Sequence, residues 1–264
     1  MNSIDSNHLV SESPHWLETR SSALTQRFIA QANSKSAHVL AEFEPLTSTI
    51  TQEIIARLDM NRQIPAYNQE DFSYSLKDIE GHEKPLFFRQ YQDQPPVLIF
   101  DENSEPAALL CCDSNQLLVH RLECDPKQVY LPIVLDPSGN ERFSLHIKDM
   151  FTGEYLAVNL AAEAIAPQLA WLDEHRFIYL ALDSRNRPYQ ARLYNLHQQQ
   201  CQLLHNEPDP CISLNLRRAS SGQYIFLTAD ELQESSVVYH LRCDAVNPTF
   251  NLLRQRKAKQ QDLL

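Results

Sequence analysis

The sequence predicts a mainly β protein: a partial β-propeller of about four blades with 47-residue repeats, preceded by an N-terminal helical segment. Short apolar segments, separated by turn-forming residues, follow one another from residue 129 onward. Asp136, Asp183 and Asp230 each close such a segment, and they are spaced 47 residues apart. A period of about 40–50 residues built from short strands is typical of propeller blades, because one small sheet buries its faces only against its neighbours.

The clearest repeat is a meander between residues 169 and 196. We predict its strands at Leu169–Trp171, Phe177–Leu182 and Tyr189–Leu196, separated by turn clusters. Related apolar runs precede Asp136 and Asp230, and a further step of 47 residues leads back from Asp136 to Arg89. Other strands are predicted at residues 72–76, 85–90, 97–100, 107–112 and 117–122.

Two amphipathic helices are predicted before the strands, which gives a helical segment over residues 1–65 and a propeller domain over residues 66–264. Ser13-Pro14 is typical of a helix start, with serine as N-cap and proline at the first helical position. That helix would place four apolar side chains together: Trp16, Leu17, Leu24 and Phe28. The second helix repeats apolar residues every four positions, at Leu46, Ile50, Ile54 and Leu58, with Ile55 beside them.

The composition narrows the range of partners and compartments. A net charge of −11 disfavours nucleic acid and anionic membranes as partners. No apolar run approaches the roughly 20 residues needed to span a bilayer, and the polar N-terminus does not resemble a signal peptide. Without any C-x-x-C pair, the cysteines are expected to be reduced thiols of a cytoplasmic protein; they are Cys111, Cys112, Cys124, Cys201, Cys211 and Cys243.

No catalytic, cofactor-binding or metal site is predicted. The strained nucleophile elbow of an α/β-hydrolase has the form G-x-S-x-G, but the residues two positions after the four glycines are Glu83, Glu141, Tyr155 and Tyr224. The glycines also form no phosphate-binding motif. The nearest cluster of metal-ligand types, residues 205–209, is interpreted as a surface turn. His146 is expected on a sheet face and Trp171 in the core.

A series of short motifs runs through the chain in a fixed order: Ser13–Glu18, Arg57, Ile64–Tyr67, Phe72–Tyr74, Gly81, Phe88–Arg89, Leu98–Asn103, Asp136, Gly139, Glu141, Lys148–Glu154, Trp171, Asp173, Tyr179, Arg187–Pro188, Glu207–Asp209 and Ser220–Tyr224. This series resembles the N-terminal part of the prolyl oligopeptidase family, especially oligopeptidase B. The resemblance implies a helical segment followed by the first blades of a seven-bladed propeller. The family's Ser-Pro-Asp-Gly motif is replaced here by Cys124-Asp125-Pro126-Lys127.

The resemblance does not extend to the family's α/β-hydrolase domain, which carries the catalytic serine, aspartate and histidine. It therefore implies a truncated or split serine peptidase that is inactive alone and gates or binds small peptides with a catalytic domain supplied elsewhere. Open blade edges would allow self-association as well. The alternative is a stand-alone, non-catalytic propeller that binds proteins or peptides. An enzyme with a new type of site has no nucleophile–base pair to support it.

Overall fold

The computed structural model describes residues 14–58, 62–105, 118–121, 123–136, 139–162, 164–231 and 235–255. The chain divides into two units, residues 1–60 and residues 61–264. The first unit is helical, and the second contains all the described strands. The domain boundary expected after residue 65 falls inside the first strand, which begins at Gln63.

The N-terminal unit contains a short 3-10 helix at Pro14–Glu18, helix α1 at Ala23–Ala41 and helix α2 at Glu44–Ile55. The prediction of one continuous helix from Pro14 through Phe28 is wrong, because Ser22 starts a new helix by accepting a hydrogen bond from Thr25 N at 3.1 Å. The predicted N-cap Ser13 lies outside the described residues.

The predicted neighbours within this unit are partly confirmed. The rings of Trp16 and Phe28 meet edge to face with centroids 5.3 Å apart. Leu46, Ile50 and Ile54 lie on α2, whereas Leu58 lies beyond the helix end. Of the described helices, none is long and apolar enough to cross a membrane.

The second unit consists of four antiparallel sheets, each with four strands in sequence order. Sheet 1 contains β1 Gln63–Gln69, β2 Phe72–Lys77, β3 Leu86–Tyr91 and β4 Val97–Asp101. Sheet 2 contains β5 Leu118–Arg121, β6 Tyr130–Asp136, β7 Ser144–Asp149 and β8 Tyr155–Leu156. Sheet 3 contains β9 Ile165–Trp171, β10 Arg176–Leu182, β11 Pro188–Asn195 and β12 Gln200–Asn206. Sheet 4 contains β13 Ile212–Arg218, β14 Tyr224–Glu231, β15 Ser235–Arg242 and β16 Asn251–Arg254.

The 47-residue period holds for sheets 2 to 4, whose first strands begin at Leu118, Ile165 and Ile212. It does not hold for sheet 1, since Gln63 precedes Leu118 by 55 positions. The equivalence of Arg89 with Asp136 is therefore wrong: Arg89 lies on a third strand, whereas Asp136 ends a second strand. The long connection between β4 and β5 causes the shift, and the strand predicted at residues 107–112 lies outside the described part of the chain.

Buried side chains form three clusters, each shared by two consecutive sheets. In β10, Phe177 and Tyr179 pack against sheet 2, whereas Ile178 and Leu180 pack against sheet 4. A strand that is buried on both faces must be apolar throughout, which explains the uninterrupted runs that dominate the sequence. Among the described residues, no buried cluster joins sheet 4 to sheet 1.

Candidate functional site

The histidine and acidic residues at positions 205–209 lie at the end of β12 and in the connection that follows it, rather than in the predicted surface turn. His205 is the penultimate residue of β12 and packs against the ring of Tyr239, with centroids 4.8 Å apart, and its burial lowers the pKa of the imidazole. Glu207 Oε1 accepts a hydrogen bond from Asp209 N at 3.0 Å, and Asp209 Oδ1 accepts one from Cys211 N at 2.9 Å. Within the described ranges no group of three or more potential ligands could hold a metal ion.

Trp171 and His146, the two other residues considered in the sequence, lie in the sheets where they were expected. Trp171 is buried between sheets 2 and 3, and its Nε1 donates to Glu123 O at 3.0 Å. His146 lies on β7, 3.2 Å from Ser144 Oγ, and burial lowers its pKa. Among the described residues, no carboxylate or other group besides Ser144 is hydrogen-bonded to this imidazole to orient it as a base.

Two of the three repeated aspartates, Asp136 and Asp183, close turns, whereas Asp230 lies within β14 and accepts a hydrogen bond from Thr228 Oγ1 at 3.1 Å. Asp136 accepts hydrogen bonds from Gly139 N at 2.9 Å and Glu141 N at 2.6 Å. Asp183 accepts from Arg185 N at 2.8 Å and Arg187 N at 3.1 Å. Burial alone would raise the pKa of Asp183, but these bonds and the Arg187 guanidinium hold it below its usual value. Backbone capping therefore accounts for Asp136 and Asp183, but not for Asp230.

The departure from the family motif at residues 124–127 also forms a turn. The buried Asp125 carboxylate accepts hydrogen bonds from the backbone N–H groups of Lys127, Val129 and Tyr130 at 2.6–2.7 Å. Gln128 follows with a left-handed φ of 61° and accepts a hydrogen bond from the Tyr74 hydroxyl through Oε1. The replacement thus preserves the turn by satisfying its backbone groups with a buried side chain.

An open cavity of about 760 Å³ lies between turns of sheets 2 and 3, and we call it the rim cavity. The side chains and backbone that surround it are Arg142, Ala161, Ala162, Ala181, Leu182, Asp183, Ser184, Asn186, Arg187 and Tyr189. Ala161, Ala162, Ala181 and Leu182 contribute apolar surface to it, and the other lining residues contribute mainly polar groups. This division is typical of a site for a small amphipathic ligand.

A hydrogen-bond network fixes polar groups that line the rim cavity. Arg142 Nη1 donates to Asn186 Oδ1 at 2.9 Å and to Asp183 O at 3.1 Å. Asn186 Nδ2 donates to Asn140 O at 2.7 Å, so its amide orientation is set from both ends. Asn186 also has a left-handed φ of 60°, which asparagine tolerates better than most residues. Sequence reasoning missed this site, since Arg142 and Asn186 are 44 positions apart.

The two end sheets differ from the inner sheets in their outward faces. β6 and β10 bury successive residues, whereas β14 alternates buried and half-buried ones. Thr228 and Asp230 lie on the outward face of β14, together with Phe226. On β2 of sheet 1, the corresponding outward residues are Ser73, Ser75 and Lys77. These faces are mixed in polarity, as expected for the terminal units of a stack.

The helices of the N-terminal unit expose an apolar surface. On α2, Leu46 is 57% exposed, Ile50 48% and Ile54 53%, and on α1 Leu40 is 64% exposed. Thr25 is the buried residue of α1, and no described residue of α2 is buried. Contiguous exposed apolar surface of this kind is uncommon on monomeric proteins.

The four-stranded sheets stacked around serial cores define this chain as a β-propeller protein. A family model described as the prolyl oligopeptidase N-terminal β-propeller domain matches residues 4–263. The chain therefore belongs to the prolyl oligopeptidase family, through the N-terminal propeller part of that family.

Relatives and solved structures agree on this extent. Protease 2 of Moraxella lacunata is 22% identical over 256 residues, which cover 92% of this chain and 36% of that protein. Dipeptidyl aminopeptidase BI of Pseudoxanthomonas mexicana is 22% identical over 254 residues, or 88% of this chain and 34% of that protein. Oligopeptidase B from Trypanosoma brucei matches with a TM-score of 0.76 at 18% identity, over 92% of this chain and 35% of that chain. The chain thus spans about a third of the length of these proteins.

Proposed function

We propose that this chain is the propeller component of an oligopeptidase, inactive alone, that restricts small peptides on their way to a serine-hydrolase domain supplied elsewhere. The observation that carries the proposal is the extent of the family match, which covers residues 4–263 of this chain and about a third of each relative. The 264 residues contain no G-x-S-x-G sequence, so the nucleophile must come from another polypeptide segment.

The exposed apolar surface of α2 supports a protein partner for the helical unit. Ile50 and Ile54 lie one turn apart on the helix and are each about half exposed. Their burial against a hydrolase domain would remove apolar area from water and stabilise the assembly. The propeller would then restrict which peptides reach the active site, and the partner domain would catalyse their hydrolysis.

The test uses the tagged full chain purified from its own host and treated with a fluorophosphonate probe, which reacts with activated serines. We expect a labelled hydrolase to copurify with the wild-type chain. The double variant Ile50→Glu/Ile54→Glu should lose that labelled partner, because two carboxylates cannot be buried without pairing. Gln52→Glu is the matched control, since Gln52 is exposed on the same helix.

Two results would count against the proposal. One is a wild-type chain that copurifies with no labelled serine hydrolase. The other is turnover of a basic dipeptide amide by the isolated chain, if that activity survives repurification and responds to a point mutation in this chain.

A second candidate function, a stand-alone module that binds peptides or proteins, is favoured by the polar residues on the outward faces of the end sheets. Ser75 and Thr228 occupy positions on second strands where the inner sheets have only buried residues. Such faces tolerate water, so four sheets can form a finished stack. Light scattering after size-exclusion chromatography distinguishes the candidates: a sharp monomer with a cooperative melt favours the module, and aggregates favour a missing partner.

We propose that this chain is cytoplasmic. Cys124, Cys201, Cys211 and Cys243 are free thiols in the described part of the chain. Thiols are kept reduced in the cytosol, whereas secreted proteins tend to oxidise them. Fractionation of the host cell tests this location, and recovery of the native protein outside the cytoplasm would contradict it.

A further inference from the structure

We propose that the rim cavity binds a small ligand through its carboxylate, with Arg142 as the anchoring cation. The inference rests on the lining of the cavity and is independent of whether a hydrolase partner exists. Its ligand class is a short peptide or similar molecule with one carboxylate and a small apolar body. The volume of about 760 Å³ falls in the range of small-molecule sites.

Among the described residues that line the rim cavity, the charged side chains leave one cation in excess. Arg187 is paired with Asp183, with Nε 2.9 Å from Oδ2, and so those two charges offset each other. Arg142 forms no ion pair with any described residue, and both of its hydrogen bonds come from Nη1. Its remaining N–H groups can donate two parallel hydrogen bonds to a carboxylate. The excess positive charge at the rim cavity is opposite in sign to the net charge of the protein, which is −11. The cavity therefore favours anions locally.

The position of Arg142 is fixed before any ligand arrives. Its Nη1 is held by Asn186 Oδ1 and Asp183 O, and Asn186 is held in turn by Asn140 O. A preorganised guanidinium loses less conformational entropy when it binds an anion than a free surface arginine does. The bonds also join a turn of sheet 2 to a turn of sheet 3, which places the cation at the junction between two blades.

The rest of the lining suits a small apolar body. Ala161, Ala162 and Ala181 give shallow walls without bulky side chains, and Leu182 adds an apolar surface. Ser184 also lines the cavity, and a serine hydroxyl can donate to a peptide carbonyl or accept from an amide. A ligand with alanine-sized side chains therefore matches both the apolar and the polar residues that line the rim cavity.

The test follows amide and arginine side-chain NMR resonances of the full chain during titration with N-acetyl-alanyl-alanine. We expect saturable shifts at Ala161, Ala162 and Arg142, with a dissociation constant on the order of 1 mM, because a single charged anchor and a small contact carry the binding. The same peptide capped as a C-terminal amide should bind at least tenfold more weakly. Added salt should weaken the acid selectively.

Two variants of Arg142 test whether its guanidinium binds the carboxylate. Arg142→Gln should weaken the acid at least tenfold, whereas Arg142→Lys should retain an intermediate affinity because it keeps the charge without the planar fork. Arg185→Gln is the matched control, since Arg185 is exposed in the adjacent turn and does not line the cavity. It should bind as the wild type does.

A third ligand identifies the source of the carboxylate. N-acetyl-aspartyl-alaninamide carries its carboxylate on a side chain, so tighter binding of this ligand indicates acidic residues and tighter binding of the free acid indicates peptide C-termini. Either result supports the proposal. Equal binding of the acid and its amide, equal losses in Arg142→Gln and Arg185→Gln, or no saturable shift up to about 10 mM would overturn it.

Discussion

Arg187 provides a sharp test of how sheet 3 is joined to sheet 4. Its Nε donates to Asp183 Oδ2 at 2.9 Å, and its Nη1 donates to the carbonyl oxygens of Asp209 and Ile212, each at 2.7 Å. The side chain is only 13% exposed, so water competes weakly for these bonds. Arg187 therefore connects the turn before β11 to the segment that leads into β13.

Arg187→Lys keeps the positive charge but replaces the planar fork with one ammonium group, which cannot reach the carboxylate and both carbonyls together. We expect the loss of two hydrogen bonds from a charged donor, each worth roughly 1.5 kcal/mol, so the free energy of unfolding should fall by about 3 kcal/mol. For a domain of this size, that loss corresponds to a decrease in Tm of about 6–12 °C.

Calorimetric melts of the wild type, Arg187→Lys and a control variant measure this decrease in Tm. Arg185→Lys is the control, because it changes an exposed arginine in the same turn and should leave Tm within about 1 °C. A melt of Arg187→Lys within about 2 °C of wild type would refute the reasoning, since the carbonyls would then be satisfied without the guanidinium.

Three further predictions concern single residues. Gln199→Gly should stabilise the protein by about 0.5–1 kcal/mol in urea unfolding, because Gln199 has a left-handed φ of 51°; no gain would contradict this reading. In mass-spectrometric alkylation at pH 8, exposed Cys211 should react long before Cys124, since burial raises the pKa of Cys124 to about 11; equal rates would contradict burial. Burial lowers the pKa of His205, so its neutral form stabilises the fold above about pH 6.5, and this contribution is lost as pH falls through the lowered folded value. His205→Gln should flatten the stability profile below about pH 6.5, and an unchanged slope would exclude His205 as a cause.

The strands were predictable where burial on two faces leaves an unbroken apolar run. Phe177–Leu182 corresponds to β10, and the apolar run before Asp136 corresponds to β6, because each contributes to two clusters. The first sheet was assigned wrongly at Arg89, since a fixed period cannot account for a connection of different length. The break before Ser22 was also missed, although the two serines there are a recognisable helix-start signal.

The rim cavity was not predictable from spacing alone. The 47-residue shift aligns Gly139 with Asn186, and both have a left-handed φ, of 67° and 60°. That alignment indicates equivalent turns in neighbouring sheets. The role of Arg142 depends on a side chain reaching from one turn to the next, however, and tertiary distances of that kind leave no mark in a repeat pattern. The absence of a nucleophile elbow, in contrast, could be read directly from the residues after the four glycines.

Each buried cluster is shared by two adjacent sheets, and none by three. A whole 47-residue repeat is therefore an interchangeable part: inserting or deleting one would preserve the type of junction on either side, whereas a half-repeat would leave a face without its counterpart. Evolution of this chain's length should accordingly proceed in whole-blade steps. Chimeras with relatives should tolerate crossover points in the connections before Ile165 and Ile212 far better than crossover points within a sheet.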